Sequence, residues 1–428
     1  MFALPLKNFL DRHNIYYGWV MAFLAFITIT FTSAALSIPQ VLILPMTTSF
    51  GWQISDVTTA IGVMFLILAL FAPFGGALML RLGITKVAVT SCTLIILGLI
   101  LTVNATQTWH LYFSIGVCLG IASGILGLGL AATVATRWFE TRRGLVVGIL
   151  TSAFAAGQLA FVPITAWLTT RFEWPFSILP ILIGACLCAV LFFLFGKNWP
   201  SDLDVPPYGS DELFMPPNSS KDNPFLTSIS CLIEAIKHPA FWVLAITFFI
   251  CGLTSNGLIS QHFIPFCSDN NIGIVVASSY LAVMGIFNFI GTMSSGWLSD
   301  RYDNYKLLAF YYGFRGLSLL YLPYSELDVF ALSLWAIFFG LDFIATVPPT
   351  VRLTGKFFGP VKGPVIFGWI FASHQIGAAI AAYGAGEARD AIMTYGPIFF
   401  TAGLICFMAT ALIILFRAST LSTRSYSQ

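Results

Sequence analysis

Long apolar runs separated by short polar breaks make up most of the chain. The runs fall near residues 16–38, 56–79, 86–103, 110–134, 143–168 and 175–196. They recur near 239–266, 275–298, 306–323, 329–350, 363–386 and 396–417. A helix needs about 20 mostly apolar residues to cross a bilayer, and each run is close to that length. Only helices and closed barrels satisfy their backbone groups in lipid, and these runs are too long and too evenly apolar for barrel strands. The pattern predicts an all-α membrane protein with twelve transmembrane helices.

One break is longer than the rest. Residues 197–238 include Asp202, Asp204, Pro206, Pro207, Asp211 and Glu212, a polar and proline-rich linker. It divides the chain into an N-terminal six-helix bundle (1–196) and a C-terminal one (239–428). Lys7, Asp11 and Arg12 precede the run from Tyr16 to Ile38, which is too long for a signal-peptide core and reads as the first span.

Composition supports this reading. Hydrophobic residues make up 58% of the chain and charged residues 9%, with a mean hydropathy of +0.88, against about 25% charged in soluble domains. A net charge of +2 is too small to argue for nucleic acid or another polyanionic partner. The eight cysteines lie mostly in apolar runs without a CxxC, so they predict helix packing, with no disulfide and no metal. With both termini cytoplasmic, seventeen Lys and Arg fall on the inside and only Arg171 and Arg389 outside. The positive-inside rule selects that orientation. The compact chain points to a bacterial inner membrane.

The two halves repeat. Gly76-Ala77-Leu78-Met79-Leu80-Arg81-Leu82-Gly83 after the second run parallels Gly296-Trp297-Leu298-Ser299-Asp300-Arg301-Tyr302-Asp303, offset by 220 residues. Arg137-Trp138-Phe139-Glu140-Thr141-Arg142-Arg143-Gly144 parallels Lys356-Phe357-Phe358-Gly359-Pro360-Val361-Lys362-Gly363, offset by 219. Two loops matching at nearly one offset indicate a duplicated six-span unit.

These loops resemble the G-x-L-x-D-R-x-G signature of the major facilitator superfamily. The resemblance implies two six-helix bundles, solute transport, and a conformational latch built from Gly76, Arg81, Gly83, Asp300, Arg301, Arg142 and Arg143. Leu80 replaces the signature aspartate in the first half, which degrades that copy. Tyr16-Tyr17-Gly18-Trp19-Val20, Phe50-Gly51-Trp52 and Arg142-Arg143-Gly144-Leu145 are similar to the monocarboxylate and oxalate/formate branch. Monocarboxylate carriers place an Asp and an Arg four residues apart in span 8. Asn288 and Thr292 occupy those positions here, so the carboxylate-pairing Arg is absent.

Ionisable and amide groups at membrane depth are costly and are site candidates. Arg315 and Asp342 lie at similar depths in spans 9 and 10, as a substrate or proton switch or as a structural ion pair. His374 and Gln375 sit mid-way along span 11, in a cavity or packed. Gly252, Asn256 and Gly257 in span 7, followed by Gln261-His262, predict either a broken, gating helix or close helix packing. Asn288 and Gln158 are further candidates, and Glu387 with Arg389 reads as a solvated pair. No P-loop, GxSxG or HExxH is present, so neither ATP drive nor enzyme chemistry is expected.

The reading is a monomeric secondary transporter, not an enzyme and without cofactor. It moves a small organic anion with protons by alternating access, its partners being substrate, protons and membrane lipid. Export of an amphiphilic metabolite, siderophore or drug is the alternative within transport, and a solute sensor the alternative outside it.

Overall fold

The computed structural model describes residues 3–213 and 223–425. Residues 214–222 of the expected linker, and the side chain of Arg143 among the expected latch residues, lie outside the described set. Among the described residues, eleven helices are long and apolar enough to cross a membrane. Spans 1–6 are Gly18–Phe50, Ile54–Leu82, Ile84–Val103, Thr108–Trp138, Leu145–Arg171 and Trp174–Phe195. Spans 7 and 8 are Pro239–Asp269 and Ile274–Arg301, and spans 10–12 are Val329–Gly359, Lys362–Ile392 and Gly396–Ser419. The twelfth expected span, span 9, is the 18-residue helix Asn304–Tyr321. Its Asn304, Lys306, Arg315 and tyrosines make it less apolar than the rest.

Among the described residues there is no sheet, only one isolated bridge between Phe139 and Tyr208. That bridge ties the first part of the linker to the loop after span 4. Tyr208 donates its N–H to the Trp138 carbonyl (2.9 Å) and accepts from the N–H groups of Glu140 (3.0 Å) and Thr141 (3.1 Å). The Tyr16 hydroxyl donates to the carbonyls of Trp138 (3.1 Å) and Pro206 (2.9 Å). The second part of the linker forms the helix Pro224–Ala235.

Packing joins the two sets of six spans along two long contacts, span 2 with span 11 and span 5 with span 8, and a shorter one between spans 1 and 7. One apolar cluster combines Ile61, Met64 and Leu68 of span 2 with Ala378, Ala379 and Ala382 of span 11. Lipid is as apolar as leucine, so such contacts hold by dispersion and close fit rather than by removal from water.

Span 7 takes the second of its two expected forms, close helix packing. It is continuous through the predicted break, wound as a π-helix over Leu253–Ile259. Its glycines serve close packing: a Cβ on Gly252 would overlap the His374 carbonyl of span 11, and one on Gly257 would lie 2.5 Å from the Ala378 oxygen. The break lies instead in span 10, where helix Val329–Asp342 ends and a new helix starts at Val347. Pro348 and Pro349 lack the N–H that would bond the carbonyls one turn earlier, and residues 343–346 form a turn.

The latch loops also differ from expectation. Asp300 pairs with Arg352 at the end of span 10, while the Arg301 guanidinium lies over the Trp297 ring, 4.0 Å from its centroid. In the first half, where Leu80 offers no carboxylate, Arg137 donates to the Met79 carbonyl (3.1 Å) and the Asn198 carbonyl (3.3 Å), with Arg81 exposed. Arg142 adopts a left-handed backbone (φ 58°) before span 5, 5.8 Å from the Tyr208 ring. Gly76 has open space around it, and the close approach to span 4 is made by Gly75. Gly83 turns the chain at φ 88°, against Asn198.

Candidate functional site

The break in span 10 releases carbonyl groups that a membrane interior cannot leave unbonded. Arg315 from span 9 collects two of them: Nη2 donates to the oxygens of Asp342 (2.7 Å) and Phe343 (3.1 Å). The hydroxyl of Ser295 in span 8 takes a third, Ala345 (2.6 Å). Arg315 Nε donates to Asp342 Oδ2 at 2.6 Å, and Nη1 to Cys251 Sγ (3.0 Å) and Thr254 Oγ1 (3.5 Å) of span 7. The Arg315 side chain is 0% exposed and that of Asp342 3%. A cation at a helix C-terminus also opposes the negative end of the helix dipole. The two residues that depth alone placed together are therefore in contact, with Asp342 Oδ1 left without a partner among the described residues.

A narrow polar crevice of about 20 Å³, room for about one water molecule, lies beside this cluster, where spans 1 and 5 face spans 7, 8 and 10. Its polar lining is Gln40, Gln158, Ser260 and Asn288, and its apolar wall includes Met284 and Phe343. No charged side chain is among the lining residues. Thr292 Oγ1 donates to Asn288 Oδ1 (3.2 Å), so the two positions that carry charge in the resembling carriers here bond each other. That leaves the Asn288 amide N–H groups to offer. Gln40 is buried with its Oε1 unpartnered among the described residues.

Of these lining residues, Gln40, Ser260, Met284 and Phe343 are the ones that the sequence did not disclose. Gln40 follows Pro39 within the 33-residue apolar helix of span 1, and an amide at that depth was the available signal. Phe343 carried none, because its position depends on the break.

The remaining candidates lie elsewhere. His374 is buried against Phe248 (ring centroids 4.7 Å apart) and Phe371 (5.7 Å), with Nδ1 unpartnered among the described residues. Gln375 is buried next to it with a free Oε1, and neither belongs to the crevice lining. Gln261 Nε2 donates to the carbonyl of half-buried Asn256 (3.3 Å). His262 is fully bonded, Nδ1 to the Tyr395 hydroxyl (3.0 Å) and Nε2 to the Ala382 carbonyl (2.9 Å), which makes it a strut between span 7, span 11 and the bend before span 12. Arg389 pairs with Asp269 (2.8 Å) and Asp390 (3.2 Å) rather than with Glu387. Asp390 Oδ2 in turn accepts the Ser55 N–H (2.8 Å), capping the first turn of span 2.

A helical membrane protein with a polar crevice between two sets of six spans is the architecture of a solute transporter. The chain belongs to the Major Facilitator Superfamily, which it matches over residues 18–382. It is 26% identical over 387 residues to YcxA, an uncharacterized transporter of this type from Bacillus subtilis, covering 88% of each chain. It is 23% identical over 402 residues to monocarboxylate transporter 13 of Rattus norvegicus, covering 93% of this chain and 88% of the relative. Among solved structures, a D-xylose–proton symporter superposes with a TM-score of 0.73 at 11% identity, covering 93% of this chain and 97% of the symporter. A bacterial homologue of the lysosomal transporter Spinster, in an inward-facing form, gives 0.66 at 14% identity, covering 93% and 95%.

Proposed function

We propose that this transporter carries a small organic acid together with a proton across a bacterial inner membrane, by rocking residues 1–196 against 239–428 about the crevice. The linker 197–238 and both termini face the cytoplasm in this reading, on the side that the Lys and Arg of the loops favour. The chain works as a monomer, since each copy contains its own crevice.

The observation that carries the proposal is the double role of Phe343. Its side chain walls the crevice, while its carbonyl is bonded by Arg315, the partner of Asp342. With Asp342 ionised, Arg315 is held and the break in span 10 is fixed. A proton on the free Oδ1 removes the charge that holds Arg315, so the break relaxes and Phe343 moves with it. The other titratable groups around this pair are Cys251 of span 7, Tyr311 and Tyr312 of span 9, His374 of span 11 and Cys406 of span 12. The amides of Gln40, Gln158 and Asn288 supply hydrogen bonds to a carboxyl group. An acid that enters with a proton brings no net charge into a lining that has none. The relatedness to monocarboxylate transporters supports the same substrate class.

The test is uptake of a panel of short-chain carboxylates into proteoliposomes under an imposed pH gradient. Gradient-driven accumulation is expected for the wild type. Asp342→Asn should abolish it while keeping solute exchange, and Gln40→Ala should raise KM. A gradient response that survives Asp342→Asn sinks the proton assignment. The charge-free lining also favours a second reading, export of a neutral amphiphile. Binding confined to such compounds would replace the first.

A further inference from the structure

The linker helix Pro224–Ala235 has three faces rather than two. At about 100° per residue, Ser228, Cys231 and Ala235 share one face, which is buried. It is fixed to span 11, where the Trp369 indole N–H donates to the Ser228 carbonyl (3.1 Å) and Lys362 pairs with Glu234 (2.6 Å). The next sector holds Leu226, Ile229 and Ile233, continued by Ile236 after the helix end, all exposed. The third holds Thr227, Ser230, Glu234 and Lys237, also exposed. Protein on one side, an apolar stripe on the second and a polar stripe on the third is the arrangement of a helix lying along a membrane–water boundary.

We infer that this helix rests in the headgroup–acyl boundary of the bilayer and, from there, straps the junction of spans 2 and 11 closed. The occupant of the apolar stripe is lipid because the stripe runs without interruption into a surface that already faces it. Ile236 is followed by Trp242 and Ile246, exposed on span 7. The Trp242 indole N–H donates to the Ile236 carbonyl (2.8 Å), welding helix and span together, and tryptophan is the residue that favours this depth. The strap follows from Phe225 at the start of the helix. It stacks on Phe74 at the end of span 2 (centroids 5.4 Å apart), and Phe74 meets the Trp369 edge of span 11 (5.6 Å). One ring of the first six spans is thus held between the linker helix and span 11. Opening the crevice toward this side requires Phe74 to leave both. Lipid that seats Leu226, Ile229 and Ile233 keeps Phe225 in place and opposes that opening.

Full-length protein in lipid nanodiscs, with exposed Cys186 replaced by serine, carries a nitroxide at Ile233→Cys or at Ser230→Cys. Collision with oxygen should dominate at position 233 and collision with a water-soluble nickel chelate at 230. Chelate access at 233, or access of neither reagent because protein covers it, would overturn the lipid assignment. In everted vesicles, Gly368→Cys, which faces Pro73 across the junction, reports opening by its maleimide labelling. Replacing Leu226, Ile229 and Ile233 together by serine should raise that labelling several-fold. Unchanged labelling in a variant that runs monodisperse would reject the strap. The nitroxide pair decides the lipid contact even where the triple variant fails to fold.

Discussion

Arg315 donates to five acceptors, two carbonyls, one carboxylate oxygen, one thiol and one hydroxyl, and in doing so completes a helix end. Desolvating a guanidinium and a carboxylate costs several kcal/mol each, and only a fully bonded geometry offsets it. Arg315→Ala leaves the Asp342 carboxylate and the Phe343 carbonyl buried without their partner, while the Asp342 carbonyl keeps the Ala345 N–H (3.1 Å), so a loss of about 3–5 kcal/mol is expected. Arg315→Met combined with Asp342→Leu removes both charges and should recover much of that loss, though not the carbonyl bonds. Thermal unfolding of the two detergent-solubilised variants checks the order, and a double variant less stable than Arg315→Ala contradicts it. The pair was legible in the sequence because charge at membrane depth is rare enough to be matched by counting from the loops. The crevice was not, because Gln40, Gln158, Ser260 and Asn288 come from four spans whose angular setting no local pattern encodes.

The spans themselves were legible for a related reason: lipid imposes apolar character over a fixed length, and composition records it directly. Internal irregularity is harder to read. Glycine and asparagine in span 7 fit both a break and a tight contact, and only the partner helix decides between them. In span 10 the N–H groups missing from Pro348 and Pro349 part the helix after Asp342. The packing of spans 7 and 11 gives a direct check. Gly252→Ala places a methyl group onto a backbone carbonyl that cannot rotate away, and overpacking of this kind costs about 1–3 kcal/mol. Gly384→Ala, in the same pair of helices but with open space around it, should be neutral or stabilising by up to about 1 kcal/mol, the ordinary helix preference. The contrast in thermal stability isolates the contact from helix propensity.

At the scale of the molecule, the face opposite the termini is closed by a chain of polar contacts that crosses between the two sets of six spans. Asp269 holds Arg389, Arg389 holds Asp390, and Asp390 caps the first turn of span 2 through the Ser55 N–H. Loss of such a cap is worth about 1 kcal/mol, or roughly fivefold in a conformational population. Asp390→Ala in a Ser55→Cys background should therefore raise maleimide labelling of Cys at that position about fivefold from that face; no change would show that other contacts keep it shut. The duplication that relates the two sets was legible from two loops at nearly one offset, but the contacts of those loops differ: beside Leu80, Arg137 donates to the carbonyls of Met79 and Asn198, while Asp300 pairs with Arg352. The bonding of the linker has a consequence of a genetic kind. Tyr208 belongs to the loop after span 4 and the helix Pro224–Ala235 to span 11, so each half carries its own portion of the connection. Two separately encoded polypeptides divided between 213 and 223 would then retain every contact that the described residues make between the halves, and continuity of the chain there would serve to keep the halves in equal number.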